Sequence, residues 1–288
     1  MFIYLNGQMV EKEAAMISPF DHGFLYGLGL FETFRVYEGH PFLLDDHIER
    51  INHGLNILNI NYRFYREETN NILQALLEKN NFTNAYIRLN VSAGSGDIGL
   101  QTKPFLEPNL IIFPKELPPA GELFEKRATL LKLKRNTPEG EARLKSHHFM
   151  NNLLAKREIG PSLEQEGIFL TADGHLAEGI VSNIFWIKDK ELYTPALCTG
   201  ILNGITRQFV MELAGRIGLC VKEGLYTLEQ ALDADEMFVT NSIQEIVPIS
   251  SFAGQKLPGK KGHWVQRFHQ DYRKFCQSLW TRNGLRRD

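Results

Sequence analysis

Two residues of this sequence are suited to chemistry on an amine: Lys145, in the stretch RLKSHHFMNNLLAKREIG, and Glu178, in LAEGIVSNIFW. A lysine in a packed site between domains loses its proton more readily and can then form a Schiff base. A carboxylate that faces a pyridine nitrogen keeps it protonated, so that the ring accepts electrons from a carbanion. Taken alone, each residue also has a plainer interpretation, Lys145 as a solvated charge at a helix start and Glu178 as a surface hairpin residue.

Three separate stretches are suited to binding a single phosphate group. GILNGITRQFV places Gly204 before a helical pattern, so the amides of Ile205 and Thr206 would lie at a helix N-terminus, where an anion is favoured. VTNSIQEI, residues 239–246, leaves a strand into a turn rich in hydroxyl and amide groups. Arg50 lies early in the helix that DDHIERINHGL predicts, and its guanidinium could bind phosphate oxygens bidentately. Each stretch alone is weak evidence, but together with the lysine and the carboxylate they predict pyridoxal 5'-phosphate as cofactor.

The motifs of other chemistries are absent or wrongly placed. GSGDIG, residues 94–99, matches GxGxxG, but LQTKPFLEP follows with two prolines and no helical period, which indicates a glycine-rich loop. The adjacent His147 and His148 would project about 100° apart on a helix, and there is no HxxxH motif, so we expect no metal. Serine hydrolysis is disfavoured because no GxSxG motif occurs.

The composition is that of a soluble globular protein. The 288 residues carry a net charge of only -2, which gives no sign of a nucleic-acid partner. The longest apolar runs fall short of the roughly 20 residues of a membrane span, and the N-terminal stretch lacks a basic start, so we expect no membrane association and a cytoplasmic location. Cys198, Cys220 and Cys276 are widely spaced, and we expect them to be reduced core residues.

The elements that must position these residues fall into two domains. Strand-like stretches mixed with helical patterns indicate a small α+β domain over residues 1–115. Proline-rich residues 116–122 form the predicted linker, and residues 123–288 form a larger domain in which strands and helices alternate. The helical patterns lie near residues 44–59, 66–79, 146–158, 204–217, 227–232 and 262–280.

Six stretches resemble, in order and spacing, the motifs of the fold-type IV pyridoxal-phosphate enzymes, the class-IV aminotransferase family. They are ISPFDHGFLYGLGLFETFRVYEG, HIERI, KSHHFMNNLLAKREI, LAEGIVSNIFW, TGILNGITR and DEMFVTNSIQEIVPI. The resemblance implies the D-amino acid aminotransferase-like fold, in which a smaller N-terminal α+β domain precedes a larger C-terminal pseudo-barrel α/β domain. It also implies a homodimer whose site lies near the subunit and domain interfaces.

The resemblance assigns roles to individual residues. Lys145 matches the family's Schiff-base lysine and catalytic base, and Glu178 matches the partner of the pyridine nitrogen. One position departs from the pattern, because Phe149 stands where the family often has a tyrosine that hydrogen-bonds the cofactor's phenolic oxygen. The remaining cofactor contacts are the phosphate ligands Arg50, Ile205, Thr206 and Ser242 and the ring-packing residue Leu202.

The branch of the family determines the reaction. The D-amino acid branch is disfavoured, because RLNVSAGSGDIG lacks its Arg-x-His carboxylate trap and Phe31 replaces its active-site tyrosine. Tyr86-Ile87-Arg88 is similar to a Tyr-x-Arg of the branched-chain aminotransferases, but their substrate loops are not recognisable. The overall likeness is greatest to the 4-amino-4-deoxychorismate lyases, which yield 4-aminobenzoate and pyruvate for folate biosynthesis. A transaminase acting on branched-chain or D-amino acids is the alternative.

A lyase substrate with two carboxylates requires arginines in the site. Arg88 is the first candidate, and Arg35 is the second, since Phe31, Thr33 and Arg35 share one face of a predicted strand. A structural ion pair explains either arginine equally well.

Overall fold

A computed structural model gives the fold of residues 1–286, and the chain divides into two units. The N-terminal unit comprises Met1–Gly121, Leu144–His148 and Cys276–Gly284. The C-terminal unit comprises Glu122–Arg143, Phe149–Phe275 and the residues from Leu285.

The units are therefore not the continuous segments 1–115 and 123–288 that the sequence suggested. The first crossing, after Gly121, lies within the predicted linker, but the chain returns to the N-terminal unit twice. The short return at Leu144–His148 carries Lys145 and is held by backbone hydrogen bonds to a strand of the N-terminal unit. Pairing between segments so far apart in the chain leaves no local periodicity for sequence reasoning to detect.

The N-terminal unit is one antiparallel sheet with two helices on one face. Its strand order is β2-β1-β6-β5-β3-β4. Leu44, Ile48, Ile51 and Leu55 recur at helical spacing and bury one side of α2 in the core. The elements are β1 (Phe2–Leu5), β2 (Gln8–Glu11), α1 (His22–Tyr26), β3 (Gly29–Tyr37), β4 (His40–Pro41), α2 (Leu44–Ile57), α3 (Arg66–Asn80), β5 (Ala85–Ser92) and β6 (Asn109–Glu116).

Alternation along β3 and β5 separates the two faces of this sheet. Leu30, Phe34 and Val36 of β3 belong to the core, as do Ala85, Ile87, Leu89 and Val91 of β5. Phe31, Thr33 and Arg35 therefore share the opposite face of β3, as predicted. On that face, Phe31 pairs with Asn90 and Thr33 pairs with Arg88.

The C-terminal unit is built on a mixed nine-stranded sheet of order β12-β11-β10-β13-β14-β7-β8-β9, with β15 beside β14. The pairs β11–β12, β14–β7 and β7–β8 are parallel, and the other pairs are antiparallel. Its elements are β7 (Lys126–Leu130), α4 (Met150–Ile159), β8 (Gln165–Leu170), β9 (Leu176–Gly179), β10 (Asn183–Lys188), β11 (Glu191–Pro195), α5 (Ile205–Arg216), β12 (Cys220–Gly224), α6 (Leu228–Leu232), β13 (Glu236–Asn241), β14 (Glu245–Phe252), β15 (Gln255–Lys256) and α7 (His263–Arg273).

Two predicted helices are shorter than expected. The helix predicted at 146–158 begins only at Met150, so the expected 100° separation of His147 and His148 on a helix does not apply. The helix predicted at 262–280 ends at Arg273, because the chain from Cys276 belongs to the N-terminal unit. In that segment, the amide of Leu43 donates to the carbonyl of Leu279.

Three expectations from composition can be compared with residues 1–286. Cys276 is buried, but Cys198 and Cys220 are exposed, so the expectation of three core cysteines is wrong. No helix within this range is both long and apolar enough to cross a membrane. Within the same range, no three His, Cys, Asp or Glu side chains are grouped so that they could hold a metal ion.

Candidate active site

The segment that carries Lys145 lies along β3. The amide of Phe31 donates to the carbonyl of Lys145 at 2.9 Å, and the amide of His147 donates to the carbonyl of Gly29 at 3.1 Å. The side-chain nitrogen of Lys145 lies 4.6 Å from the centroid of the Phe31 ring. The strand thus fixes both the backbone of the lysine and the aromatic surface on which its amine rests.

Arg88 shares this aromatic surface with Lys145. Its guanidinium carbon lies 3.7 Å from the Phe31 ring centroid, and its Nη2 donates to Oδ1 of Asn90 at 3.3 Å. Burial lowers the pKa of Arg88 from its ordinary value, while Tyr86 acts in the opposite direction. The predicted residues Lys145, Phe31 and Arg88 therefore form one cluster on the face of the sheet that α2 does not cover.

His147 completes this cluster. Its Nε2 lies 3.1 Å from Oδ1 of Asn90, and its ring stacks at 6.4 Å from that of Phe31. Burial, assisted by the positive charge of Arg88, lowers the pKa of His147 to about 4. The imidazole is therefore neutral at pH 7 and adds no cation to the cluster.

Arg35 lies on the same face but is engaged elsewhere. Its Nη2 donates to the carbonyl of Pro118 at 2.5 Å, and its guanidinium lies 5.0 Å from the Tyr37 ring. Only 9% of the residue is exposed. Thr33 lies between Phe31 and Arg35 and pairs across the sheet with Arg88. These contacts favour a structural part for Arg35 and leave Arg88 as the better candidate for a substrate carboxylate.

Arg50 is not part of the Lys145 cluster. Its Nε and Nη2 donate to the two oxygens of Glu32 at 2.7 and 2.6 Å, on the face of β3 opposite Phe31. Nδ1 of His47 lies 2.6 Å from the same carboxylate. Burial alone would raise the pKa of Glu32, but Arg50 and His47 outweigh it and lower the pKa to about 2. The predicted phosphate ligand is thus held by a buried carboxylate.

Glu178 lies on β9 and is only 4% exposed, so its interpretation as a surface hairpin residue is wrong. Nε of Arg135 donates to its Oε1 at 2.8 Å, and the amide of Leu202 donates to its Oε2 at 3.0 Å. Nε of Arg143 lies 3.8 Å from Oε1. Burial, followed by the charge of Arg135, lowers the pKa of Arg143. The carboxylate is therefore charge-balanced and fixed in orientation, as a partner for a ring nitrogen requires.

The predicted phosphate ligands of the C-terminal unit meet at the start of α5. Gly204 is the N-cap of this 12-residue helix, no side chain caps it, and its first turn carries no acidic residue. The hydroxyls of Thr206 and Ser242 lie 3.1 Å apart. A Cβ on Gly204 would lie 2.2 Å from Oδ1 of Asn183. Amides and hydroxyls at an uncapped helix N-terminus fit a phosphate group, so the donor set suits pyridoxal phosphate.

The sequence reasoning missed Arg135, Arg143 and Asn183. Nη1 of Arg135 donates to Asn151 at 2.7 Å, and Arg143 donates through Nε to the carbonyl of Gly200 at 2.5 Å. Nδ2 of Asn183 donates to the carbonyl of Leu202 at 2.9 Å and lies 3.5 Å from Glu178. A search for cations that could balance the expected buried carboxylate would have found the two arginines shortly before Lys145 in the chain.

Phe149, which departs from the family pattern, precedes α4 as its N-cap residue and is 44% exposed. It provides no side-chain hydrogen bond to cap the helix. What replaces the family's phenolic contact does not follow from this position.

Comparison with known proteins agrees with this donor set. The family Amino-transferase class IV matches residues 29–252. An aminodeoxychorismate lyase of Bacillus subtilis is 46% identical over 99% of this chain and 98% of its own. The branched-chain aminotransferase of Thermoproteus uzoniensis, solved with norvaline, has a TM-score of 0.85 at 28% identity over 96% of this chain and 95% of its own. A T.th. branched-chain amino acid aminotransferase, complexed with N-(5'-phosphopyridoxyl)-L-glutamate, has a TM-score of 0.84 at 25% identity over 96% and 94%. These likenesses confirm the predicted fold and the pyridoxal-phosphate cofactor, and the chain belongs to the class-IV aminotransferase family.

Proposed function

We propose that this protein is a pyridoxal-phosphate-dependent 4-amino-4-deoxychorismate lyase, a carbon-oxygen lyase that forms 4-aminobenzoate and pyruvate in folate biosynthesis. The likeness to the Bacillus subtilis aminodeoxychorismate lyase, at 46% identity over almost the whole of both chains, carries this proposal. The cluster of Lys145, Phe31 and Arg88 supports it, because it places an amine and a guanidinium on one aromatic surface.

The C-terminal unit holds the cofactor. The amides of Ile205 and Thr206, together with the hydroxyls of Thr206 and Ser242, bind the phosphate group. Leu202 packs against the ring, and its amide helps to fix Glu178 toward the ring nitrogen. Pyridoxal phosphate, when bound, supplies an electron sink for the charge left by proton removal.

Arg50 adds the family's guanidinium to the phosphate ligands in this proposal. Glu32 holds its side chain in one rotamer through two parallel hydrogen bonds. A guanidinium fixed in this way loses little conformational entropy when it meets a phosphate oxygen.

Lys145 moves the protons. Its amine takes the proton from C4 of the substrate as general base. The bond between the ring carbon and the enolpyruvyl oxygen then breaks, and Lys145 returns a proton to the leaving group, which becomes pyruvate. No water or oxidant is consumed, and the ring that remains is aromatic, which makes the elimination strongly downhill.

Arg88 binds a carboxylate of the substrate in this reaction. The guanidinium rests on Phe31, which directs its remaining N–H groups along the sheet face. Arg35 is the second candidate, and its hydrogen bond to Pro118 makes it the weaker one. Thr33 and Phe31 complete the surface on which the substrate lies.

We further propose that the protein works in the cytoplasm as a homodimer, as the family resemblance implies. Light scattering after size exclusion should give twice the 33.0 kDa of one chain. A monomer that retains full activity would contradict this part of the proposal.

The decisive experiment supplies 4-amino-4-deoxychorismate to the purified holoenzyme. We expect equal amounts of 4-aminobenzoate and pyruvate, the first followed by its fluorescence and the second by coupling to lactate dehydrogenase. Lys145→Ala should abolish both products and the visible absorbance of covalently bound cofactor. Lys156→Ala is the matched control, because Lys156 lies on α4 and donates to the carbonyl of Ser162.

The alternative is a class-IV aminotransferase, which the likeness to the Thermoproteus uzoniensis enzyme favours. Such an enzyme requires a 2-oxo acid acceptor and acts on branched-chain or D-amino acids. Turnover of these substrates with a 2-oxo acid, without release of 4-aminobenzoate, would replace the lyase proposal.

A further inference from the structure

Arg88 is a half-buried cation without an acidic partner. Its contacts are the Phe31 ring, the amide oxygen of Asn90 and Tyr86. Among the residues of the N-terminal unit that the structure describes, no carboxylate lies within 4 Å of its guanidinium nitrogens. Because a partly desolvated charge is costly when it is unpaired, the arrangement suits a site whose counter-ion is the ligand.

The acidic groups near this cluster are already engaged. Asp21 accepts hydrogen bonds from the amide of Gly23 at 2.6 Å, from Ser92 at 2.6 Å and from Asn109 at 2.5 Å. Glu32 lies on the opposite face of β3 and is paired with Arg50. Neither carboxylate is placed to neutralise Arg88.

Asn90 orients Arg88 instead. It lies two residues after Arg88 on the same face of β5, and its Oδ1 accepts from Arg88 at 3.3 Å. The same oxygen lies 3.1 Å from Nε2 of the neutral His147. An aspartate at this position would have the same shape but would place a negative charge on the guanidinium.

The surroundings of Arg88 suit the carboxylate of an aromatic ring. Phe31 covers one side of the guanidinium, and Phe113 of β6 pairs with Arg88 across the sheet. Ile111 pairs with Asn90 on the same strand. An anion bound here would lie among apolar surfaces that can contact a ring.

We propose that Asn90 is a specificity-determining residue. As a neutral amide, it holds Arg88 in place and reserves the guanidinium charge for the ring carboxylate of a benzoate-like ligand. The identity of the ligand rests on the proposed function, but the role of Asn90 in selecting a carboxylate does not require turnover.

The test measures binding to the holoenzyme by calorimetry with two probes, 4-aminobenzoate and the uncharged 4-aminobenzamide. The wild type should bind the acid at least about tenfold more tightly than the amide. Asn90→Asp should weaken 4-aminobenzoate by about tenfold or more and change 4-aminobenzamide by less than about threefold, because Arg88 then carries its own counter-ion. Asn90→Ser, which is neutral and smaller, should retain the preference for the acid. Circular dichroism and thermal unfolding establish that the variants are folded.

Equal weakening of both probes by Asn90→Asp would show that Asn90 acts only in packing and would overturn the inference. A wild type without preference for the acid would also overturn it. Selective binding without release of 4-aminobenzoate from 4-amino-4-deoxychorismate would retain the inference and remove the lyase proposal.

Discussion

Glu32→Gln should destabilise the protein in a way that depends on pH. The carboxylate is 1% exposed and accepts from Arg50 at 2.7 and 2.6 Å and from His47 at 2.6 Å. Glutamine has nearly the same shape but carries no charge. The substitution therefore leaves the guanidinium of Arg50 without its buried partner while disturbing the packing little.

The size of the effect follows from the pKa of Glu32. Its fall from 4.5 to about 2 is a shift of about 2.5 units, which at about 1.36 kcal/mol per unit corresponds to about 3 kcal/mol. Because the folded pKa is the lower one, this stability is fully present above about pH 4.5 and is lost as the pH falls toward 2. We therefore expect Glu32→Gln to lose about 3 kcal/mol at pH 7 and progressively less below pH 4.5.

Urea unfolding of the cofactor-free protein measures this difference at pH 7, 5, 4 and 3. Arg50→Gln and the double variant complete a double-mutant cycle, in which the coupling energy at pH 7 should be about 2–3 kcal/mol. A loss below about 1 kcal/mol at pH 7, or a loss that does not change between pH 7 and pH 3, would refute the assigned charge state.

Three further outcomes follow from the geometry. Gly204→Ala should weaken pyridoxal phosphate by at least about tenfold in a fluorescence titration, because its Cβ would lie 2.2 Å from Asn183, whereas Gly215→Ala on the same helix meets nothing within 4 Å and should bind normally. Arg135→Gln should weaken the same binding by about tenfold, through loss of the 2.8 Å contact that fixes Glu178; the exposed Arg127→Gln should not, and equal effects of the two would contradict the role of Arg135. His147→Asn should flatten the fall in unfolding free energy between pH 6.5 and pH 4, because the native imidazole, with its pKa at about 4, stays neutral there while the unfolded one takes up a proton; an unchanged pH profile would show that His147 does not titrate in this way.

Local patterns of the sequence predict much of this arrangement. The period of two in LGLFETFRVYEG predicts that Phe31, Thr33 and Arg35 share a face, and β3 has them so. The glycine before a helical pattern predicts the N-terminus of α5, and the observed helix begins at Ile205. Both features depend only on neighbours within a few residues, because strand alternation and helix capping are local properties of the backbone.

The partners that give the predicted residues their character are not local. Arg135 and Leu202 hold Glu178 from 43 residues before it and 24 residues after it. No spacing rule connects positions so far apart, and their contact exists only because β9 is buried within the folded C-terminal unit. Lys145 shows the same limit, since Ser146 pairs with Leu30 across more than 100 residues and thereby prevents the helix from starting before Met150. Motif matching can thus locate the lysine and the carboxylate, whereas their surroundings, which control charge and orientation, require the tertiary structure.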